Sequence, residues 1–367
     1  MLQKTRKSGW RKSALLVIAA MLVMTIVAGC GNKKDGEYSL QFKGVDKGEI
    51  VATYEGGQVT QTEFDKYLAL LGIAQPESEA IFQIPQFQEM ILEQYISYKV
   101  IGTKASAETM TKASELVKEQ LKQFTDIKKK DAEFKKLIKD KKVSDDDMAT
   151  FLMLTSVLVT HMNSLVTDED MQKAYDTLKP NFAISTVRHI LINTTEYNQQ
   201  TGESKEVRSD EEAKKIANEV RDKLLANEDW DKLAKEYSED DGSKDKGGLY
   251  ENTDTSGWVE PFKQAAFNQE IGVIGEPVKT DFGYHVIKVE KRDVTALDKL
   301  SEAQKAKVTD SAAYSHLEKF LDEEMDKLNI KITLPQPEPS PSASPEASPE
   351  ASDNNAEAGK ETETPAK

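Results

Sequence analysis

The chain has 367 residues, with 64 acidic against 49 basic side chains and a formal net charge of −15. That balance argues against nucleic acid as a partner, since phosphate backbones are met by clustered Lys and Arg. The only cysteine is Cys30, so an intramolecular disulfide is excluded.

Lys4, Arg6, Lys7, Arg11 and Lys12 make a positive N-terminal segment, Ala14 to Ile26 is apolar, and Val27-Ala28-Gly29-Cys30 follows. This is the order of a secretion signal, and the apolar run is short for a membrane span. The last four residues resemble a bacterial lipobox, which implies a lipoprotein signal peptide over residues 1–29, cleavage before Cys30, and lipidation of that cysteine. The mature chain is then expected at an extracytoplasmic membrane face, with its net charge moved from −15 to −20 by the loss of five cations. Residues 30–48 are polar and glycine-containing and read as a tether.

Ile50 to Tyr54, Gly56-Gly57 and Val59 predict a strand and turn, leading into a helix capped by Thr60 with Glu63 as its capping-box partner. From there to Leu178 the pattern is helical. Phe87, Ile91, Tyr95, Tyr98 and Ile101 recur at helical spacing, and Ser144 and Thr167 precede acidic residues as N-caps do. The apolar run from Phe151 to Val159 reads as the central helix of a helical core, and alternatively as the lining of a groove for unfolded chains. Pro180 ends this region. Next come a strand at 186–193, a polar loop around Gly202, helices near 210–225 and 229–237, a glycine-rich loop, a short helix at 261–267 and a strand at 284–291. Leu297 to Leu328 is helical again and Ile330 to Leu334 is a strand. Residues 335–367 hold seven of the twelve prolines with no aromatic residue, Val, Ile or Leu, and are expected to be disordered.

Two of the four histidines sit in strand-like stretches, Val187-Arg188-His189-Ile190-Leu191 and Gly283-Tyr284-His285-Val286-Ile287. Because a strand alternates its faces, each imidazole points either into a core or toward a site. Between them lie Tyr237-Ser238-Glu239-Asp240, the Gly247-Gly248 pair, and Trp258 and Phe262 four residues apart. His161 and His316 lie in helical stretches without evident partners. No spacing suggests a metal site, a phosphate loop or a Ser-His-Asp arrangement, and no cofactor is expected.

This combination resembles the parvulin family of peptidyl-prolyl isomerases. The resemblance implies that His189 and His285 lie close together in the floor of a site, that Asp240 stands where members carry Cys or Asp, and that Thr280 supplies a hydroxyl to their network. It further implies that Leu249, Trp258 and Phe262 wall a proline ring. The usual Gly-Gly-(Asp)-Leu-Gly turn reads Gly247-Gly248-Leu249-Tyr250-Glu251 here. Basic residues for phosphorylated substrates are not evident after His189, where Glu196, Glu203 and Glu206 offset Lys205 and Arg208.

The surrounding helical pattern is similar to that of the SurA and PrsA foldases, and the order of parts to the PrsA lipoproteins of Gram-positive bacteria. The expected fold class is α+β: a parvulin-like small antiparallel or mixed sheet with helices at 181–293, inserted into a mainly helical chaperone domain formed by 49–180 and 294–334. The implied partners are unfolded or partly folded secreted proteins containing X-Pro bonds, and the membrane through Cys30. A homodimer is admitted but not decided by the residues. The alternative is a holdase lipoprotein whose parvulin domain is structural or weakly active.

Overall fold

The computed structural model describes residues 38–197, 201 and 203–334. Cys30, the signal segment, Gly202 and residues 335–367 lie outside the described residues. Ile50–Tyr54 (β1) and Gly57–Thr60 (β2) form a hairpin, and β1 pairs on its other edge with Lys331–Ile332 (β9). The start and the end of the described chain therefore close one three-stranded sheet.

Six helices follow the hairpin: Gln61–Ala74 (α1), Pro85–Lys104 (α2), Ala107–Lys130 (α3), Ala132–Asp140 (α4), Asp145–Ser164 (α5) and Asp168–Leu178 (α6). Ser144 and Thr167 each form a full capping box, with Asp147 and Asp170. Both caps satisfy N–H groups that the first helical turn leaves without partners. In α5, Phe151, Met153, Leu154, Val157 and Leu158 are buried within one core shared with α1, α2, α3 and the late helix Glu302–Glu323. The run is thus a core helix, and these side chains line no surface groove. Each such side chain contributes about 1.5–3 kcal/mol by leaving water.

Three expectations for this region are corrected. Residues 38–48 are no free tether, because Phe42 and Val45 are buried in the helical core. Thr60 Oγ1 does accept from Glu63 N at 3.2 Å, but the Glu63 carboxylate does not return to the cap. It turns inward to accept from Tyr95 Oη and Lys99 Nζ, both at 2.6 Å. Phe87 is 40% exposed and stands outside the buried stripe of Ile91, Tyr95, Tyr98 and Ile101.

The second unit is built on a four-stranded sheet of Ala183–Asn193 (β3), Leu249–Asp254 (β6), Val278–Lys279 (β7) and Gly283–Val294 (β8), in the order β6-β3-β8-β7. Every pair is antiparallel, so the sheet is not mixed. Ile190, Ile192, Tyr284 and Val286 pack on one face against Asp210–Leu225 (α7) and Trp230–Tyr237 (α8). On the other face Val187, Ile287 and Val289 pack against Glu260–Asn268 (α9). The polar stretch after β3 is not a plain loop: Thr195–Tyr197 (β4) and Ser204–Glu206 (β5) pair as a small hairpin. Beyond β8, Glu302–Glu323 (α10) begins at a Ser301–Gln304 capping box. His316 on α10 does have a partner, lying 3.1 Å from the Asp170 carboxylate at the start of α6.

Candidate active site

In the β3–β8 ladder His189 stands opposite Ile287 and Leu191 opposite His285. Residues two apart share a face, so the two histidines are diagonal neighbours on the α9 side of the sheet. They are 3% and 5% exposed, and their Nδ1 atoms are 3.1 Å apart. His189 Nε2 lies 2.8 Å from Asp240 Oδ2 and 3.1 Å from Ser243 Oγ. At the other end His285 Nε2 lies 2.9 Å from Thr280 Oγ1.

Hydrogen-bond chemistry fixes the direction of this chain when both rings are neutral. The Asp240 carboxylate can only accept, so His189 carries its proton on Nε2 and its Nδ1 accepts from His285 Nδ1–H. His285 Nε2 then accepts from the Thr280 hydroxyl. Asp240 Oδ2 also accepts from Ser243 Oγ and, at 3.0 Å, from Tyr250 Oη. The result is a polarised row of donors running from Thr280 to one carboxylate oxygen. Burial works to raise the Asp240 carboxyl, but hydrogen bonds from His189 and Ser243, the charge of His189 and the Tyr250 hydroxyl outweigh it and hold the group far below the usual carboxylate range. Burial, aided by neighbouring His189, pushes the His285 imidazole down to about 3. His285 is therefore neutral at physiological pH.

The apolar side of the site is aromatic. Phe262 stands edge-on to both imidazoles, with centroids 5.3 Å from His189 and 5.1 Å from His285, and Trp258 is 5.1 Å from Phe262. Pro261 at the start of α9 sets the helix entry; Trp258 is extended backbone just before the helix and Phe262 lies in its first turn. Tyr250 completes the wall, 5.4 Å from His189 and 6.5 Å from Trp258.

Backbone geometry holds these groups in place. Glu239 N donates to Leu191 O at 2.8 Å, which bolts the Asp240 segment to β3. The Glu239 carboxylate accepts two bonds from Arg208, at 2.8 and 2.9 Å, and one from Asn193 N at 2.6 Å. Gly248 has a φ of +68°, and a Cβ there would come within 1.9 Å of the His189 carbonyl oxygen. Only glycine lets β6 approach β3 at the histidine. Thr280 and Gly283 close the turn into β8 through reciprocal backbone bonds of 2.8 and 3.2 Å, which aims the threonine hydroxyl at His285.

Of the residues expected from sequence, His189, Asp240, His285 and Thr280 are joined in one network, and Trp258 and Phe262 stand over it. Leu249 does not. It pairs with Arg188, whose side chain is on the opposite face from His189, while Tyr250 pairs with Val187 on the site face. Strand alternation thus exchanges Leu249 for Tyr250.

A family model for the PPIC-type peptidyl-prolyl isomerase domain matches residues 170–293, the stretch that holds every residue of this network. Residues 170–293 are thus a parvulin-type isomerase domain, in a chain similar to the PrsA foldases. It is 27% identical to the foldase protein PrsA of Caldanaerobacter subterraneus over 309 residues, covering 79% of this chain and 86% of the relative. It is 26% identical to a parvulin-like PPIase of Rickettsia conorii over 298 residues, covering 79% and 90%. A crystal structure of PrsA from Bacillus cereus aligns with a TM-score of 0.45 and 24% identity, over 76% of this chain and 91% of that one. The enzyme is accordingly a peptidyl-prolyl cis-trans isomerase of the parvulin type.

Two residues of the parvulin site escaped the sequence reading. Ser243 is 1% exposed and bonds to both Asp240 and His189; its signal was the Asp240-Asp241-Gly242-Ser243 turn, which returns a hydroxyl to the first side chain. Tyr250 takes the place the sequence assigns to its neighbour Leu249. Its phenol is pushed up to about 12 by burial and by the Asp240 charge, so it stays a donor. Tyr250→Phe keeps the ring and removes one bond to the carboxylate. A fall in kcat/KM of about fivefold is expected, about 1 kcal/mol, with KM nearly unchanged, as read from X-Pro peptide isomerisation.

Proposed function

We propose that this foldase is held at the extracytoplasmic face of a membrane by a lipid on Cys30, and isomerises X-Pro bonds of secreted proteins as they fold. The observation that carries the reading is the Thr280–His285–His189–Asp240 row beneath the aromatic wall of Tyr250, Trp258 and Phe262. Rotation about an X-Pro bond faces a barrier of about 18–20 kcal/mol because amide resonance must be lost. No bond is made or broken, so the site needs to hold the proline ring, strip water from the amide and favour its twisted state. The aromatic wall takes the ring, and the polarised row, ending in a carboxylate, answers the charge redistribution as the nitrogen leaves conjugation. Asp240 and Ser243 fix the His189 tautomer, and Thr280 fixes that of His285.

In this proposal residues 1–29 are the signal peptide, 181–293 the isomerase domain, and 49–180 with 294–334 a helical chaperone domain that holds clients near the site. The tether shortens to 30–37, since residues from 38 onward are docked. Acceleration of cis–trans exchange in a short X-Pro peptide by the mature chain, measured by exchange NMR, tests the reading. A folded chain that leaves the exchange rate unchanged but still suppresses client aggregation would move the function to the helical domain. Mass analysis of the Cys30 peptide from the native membrane tests the anchor separately.

A further inference from the structure

Although the chain is acidic, residues 118–142 carry ten lysines against five carboxylates, a local net of +5 that leaves −20 on the remainder. These residues form the second half of α3, the turn at Asp131 and all of α4. Helical geometry segregates them. On α3, Ala113, Val117 and Phe124 are buried, and Lys118, Lys122 and Lys129 recur on the opposite stripe. On α4, Ile138 is buried while Lys135, Lys136 and Lys139 face outward. Two of the five carboxylates are already engaged: Asp131 caps α4 through Glu133 N and Phe134 N, and Asp126 lies 4.0 Å from Lys129. Lys122, Lys130, Lys135, Lys136, Lys139 and Lys142 are all exposed and have no ion-pair partner among the described residues. Ile127, 51% exposed, sits among them.

The docked N-terminal segment comes close to the end of α3. Asp145 and Asp146 open α5; Asp145 pairs with Lys128 of α3, and Asp146 accepts at 2.6 Å from Lys43 of the docked N-terminal segment. Consecutive residues thus tie the basic helix to the segment that leads back to Cys30. From Cys30 to Tyr38 is a reach of at most about 29 Å when fully extended.

We propose that the lysine face of α3 and α4 docks on an anionic phospholipid surface beside the lipidated end of the chain. The orientation rests on Cys30 being the anchor; the binding does not. A lipid anchor and a polybasic patch are two membrane signals whose contributions add, the patch acting on the anionic headgroups. Lysines toward the bilayer and the acidic remainder away from it would also give the foldase a defined orientation over the membrane.

The test uses the mature chain with Cys30→Ser, which carries no lipid, and vesicles of phosphatidylcholine alone or in equimolar mixture with phosphatidylglycerol. Cosedimentation is expected with the mixed vesicles only, and to vanish as salt is raised to about 0.5 M. Substituting Lys130, Lys135, Lys136 and Lys139 together by Gln should weaken binding about tenfold or more. The same change in net charge made at Lys214, Lys215, Lys232 and Lys235 should leave it within about twofold. Equal losses in both variants, or no binding of the parent chain to mixed vesicles, would overturn the proposal. So would binding to soluble polyphosphate without binding to vesicles. None of these outcomes depends on whether Cys30 is acylated in the cell.

Discussion

Asp240→Ala is expected to lower kcat/KM for an X-Pro peptide by about a hundredfold, the scale on which single preorganised electrostatic groups act. Three donors converge on Asp240 Oδ2, from His189 Nε2, Ser243 Oγ and Tyr250 Oη. Removing the carboxylate leaves them without an acceptor in a mostly buried site, at about 1–3 kcal/mol for each group that finds no water. The His189 tautomer is then no longer dictated, and neither is the direction of the row back to Thr280. Asp240→Asn separates the two contributions. Its carbonyl oxygen still accepts, so the tautomer survives, but the charge is gone and its amide nitrogen cannot accept from Gly242 N–H, which bonds the other carboxylate oxygen; a loss of about tenfold is expected. Exchange NMR on the same peptide reads both variants, and the thermal transition of each shows whether it is folded. An alanine variant that is folded and keeps more than half of the activity would reduce Asp240 to a residue that merely shapes its turn.

What the sequence could and could not show follows from where the physical signal resides. The stretches Val187 to Ile192 of β3 and Tyr284 to Val289 of β8 are apolar apart from Arg188, Lys288 and the two histidines, and the caps at Ser144 and Thr167 need only local chemistry, so both are legible. Strand β6 was not, because Leu-Tyr-Glu-Asn-Thr-Asp at the sheet edge has no apolar alternation to mark it. Without a marked strand its phase is not readable, and the sequence favours Leu249 where the sheet presents Tyr250. The β4–β5 hairpin is polar on both sides and is defined by backbone pairing alone. Phe42 and Val45 lie in a stretch polar enough to pass for a tether, and only the cavity they fill in the helical core makes them structural. Glu63 was read as a local capping partner, yet Lys99 and Tyr95, distant in sequence, claim its carboxylate. Spacing argues well for what neighbours in sequence do together, and poorly for what a fold brings from afar.

The isomerase domain is also expected to lose stability in mild acid through a single buried ring. The folded-state value of His285 is held down to about 3, while an unfolded histidine titrates near 6.5. The sign follows from which state binds the proton. Above about pH 6.5 neither state does, and the full stability is present. Below it the unfolded chain takes up a proton that the folded chain refuses, so stability falls by about 1.4 kcal/mol per pH unit until the folded ring itself titrates. Protonation in the folded state is costly because burial and His189 oppose the charge, and Asp240, reached through His189, offsets only part of that. The depressed Asp240 carboxyl adds its own acid loss only below the unfolded carboxylate range, near pH 4. Between pH 6.5 and 4 the histidine effect therefore stands apart, and a total of a few kcal/mol is expected. Urea titrations of the wild type and of His285→Gln across that window measure it, since every other titratable group is common to both proteins. The variant should be less stable at neutral pH, where it lacks the ring's packing against Phe262, and should show a flatter decline into acid. Parallel declines would mean that the ring is protonated in the folded state at mild pH, donating from both nitrogens so that Thr280 Oγ1 accepts from it.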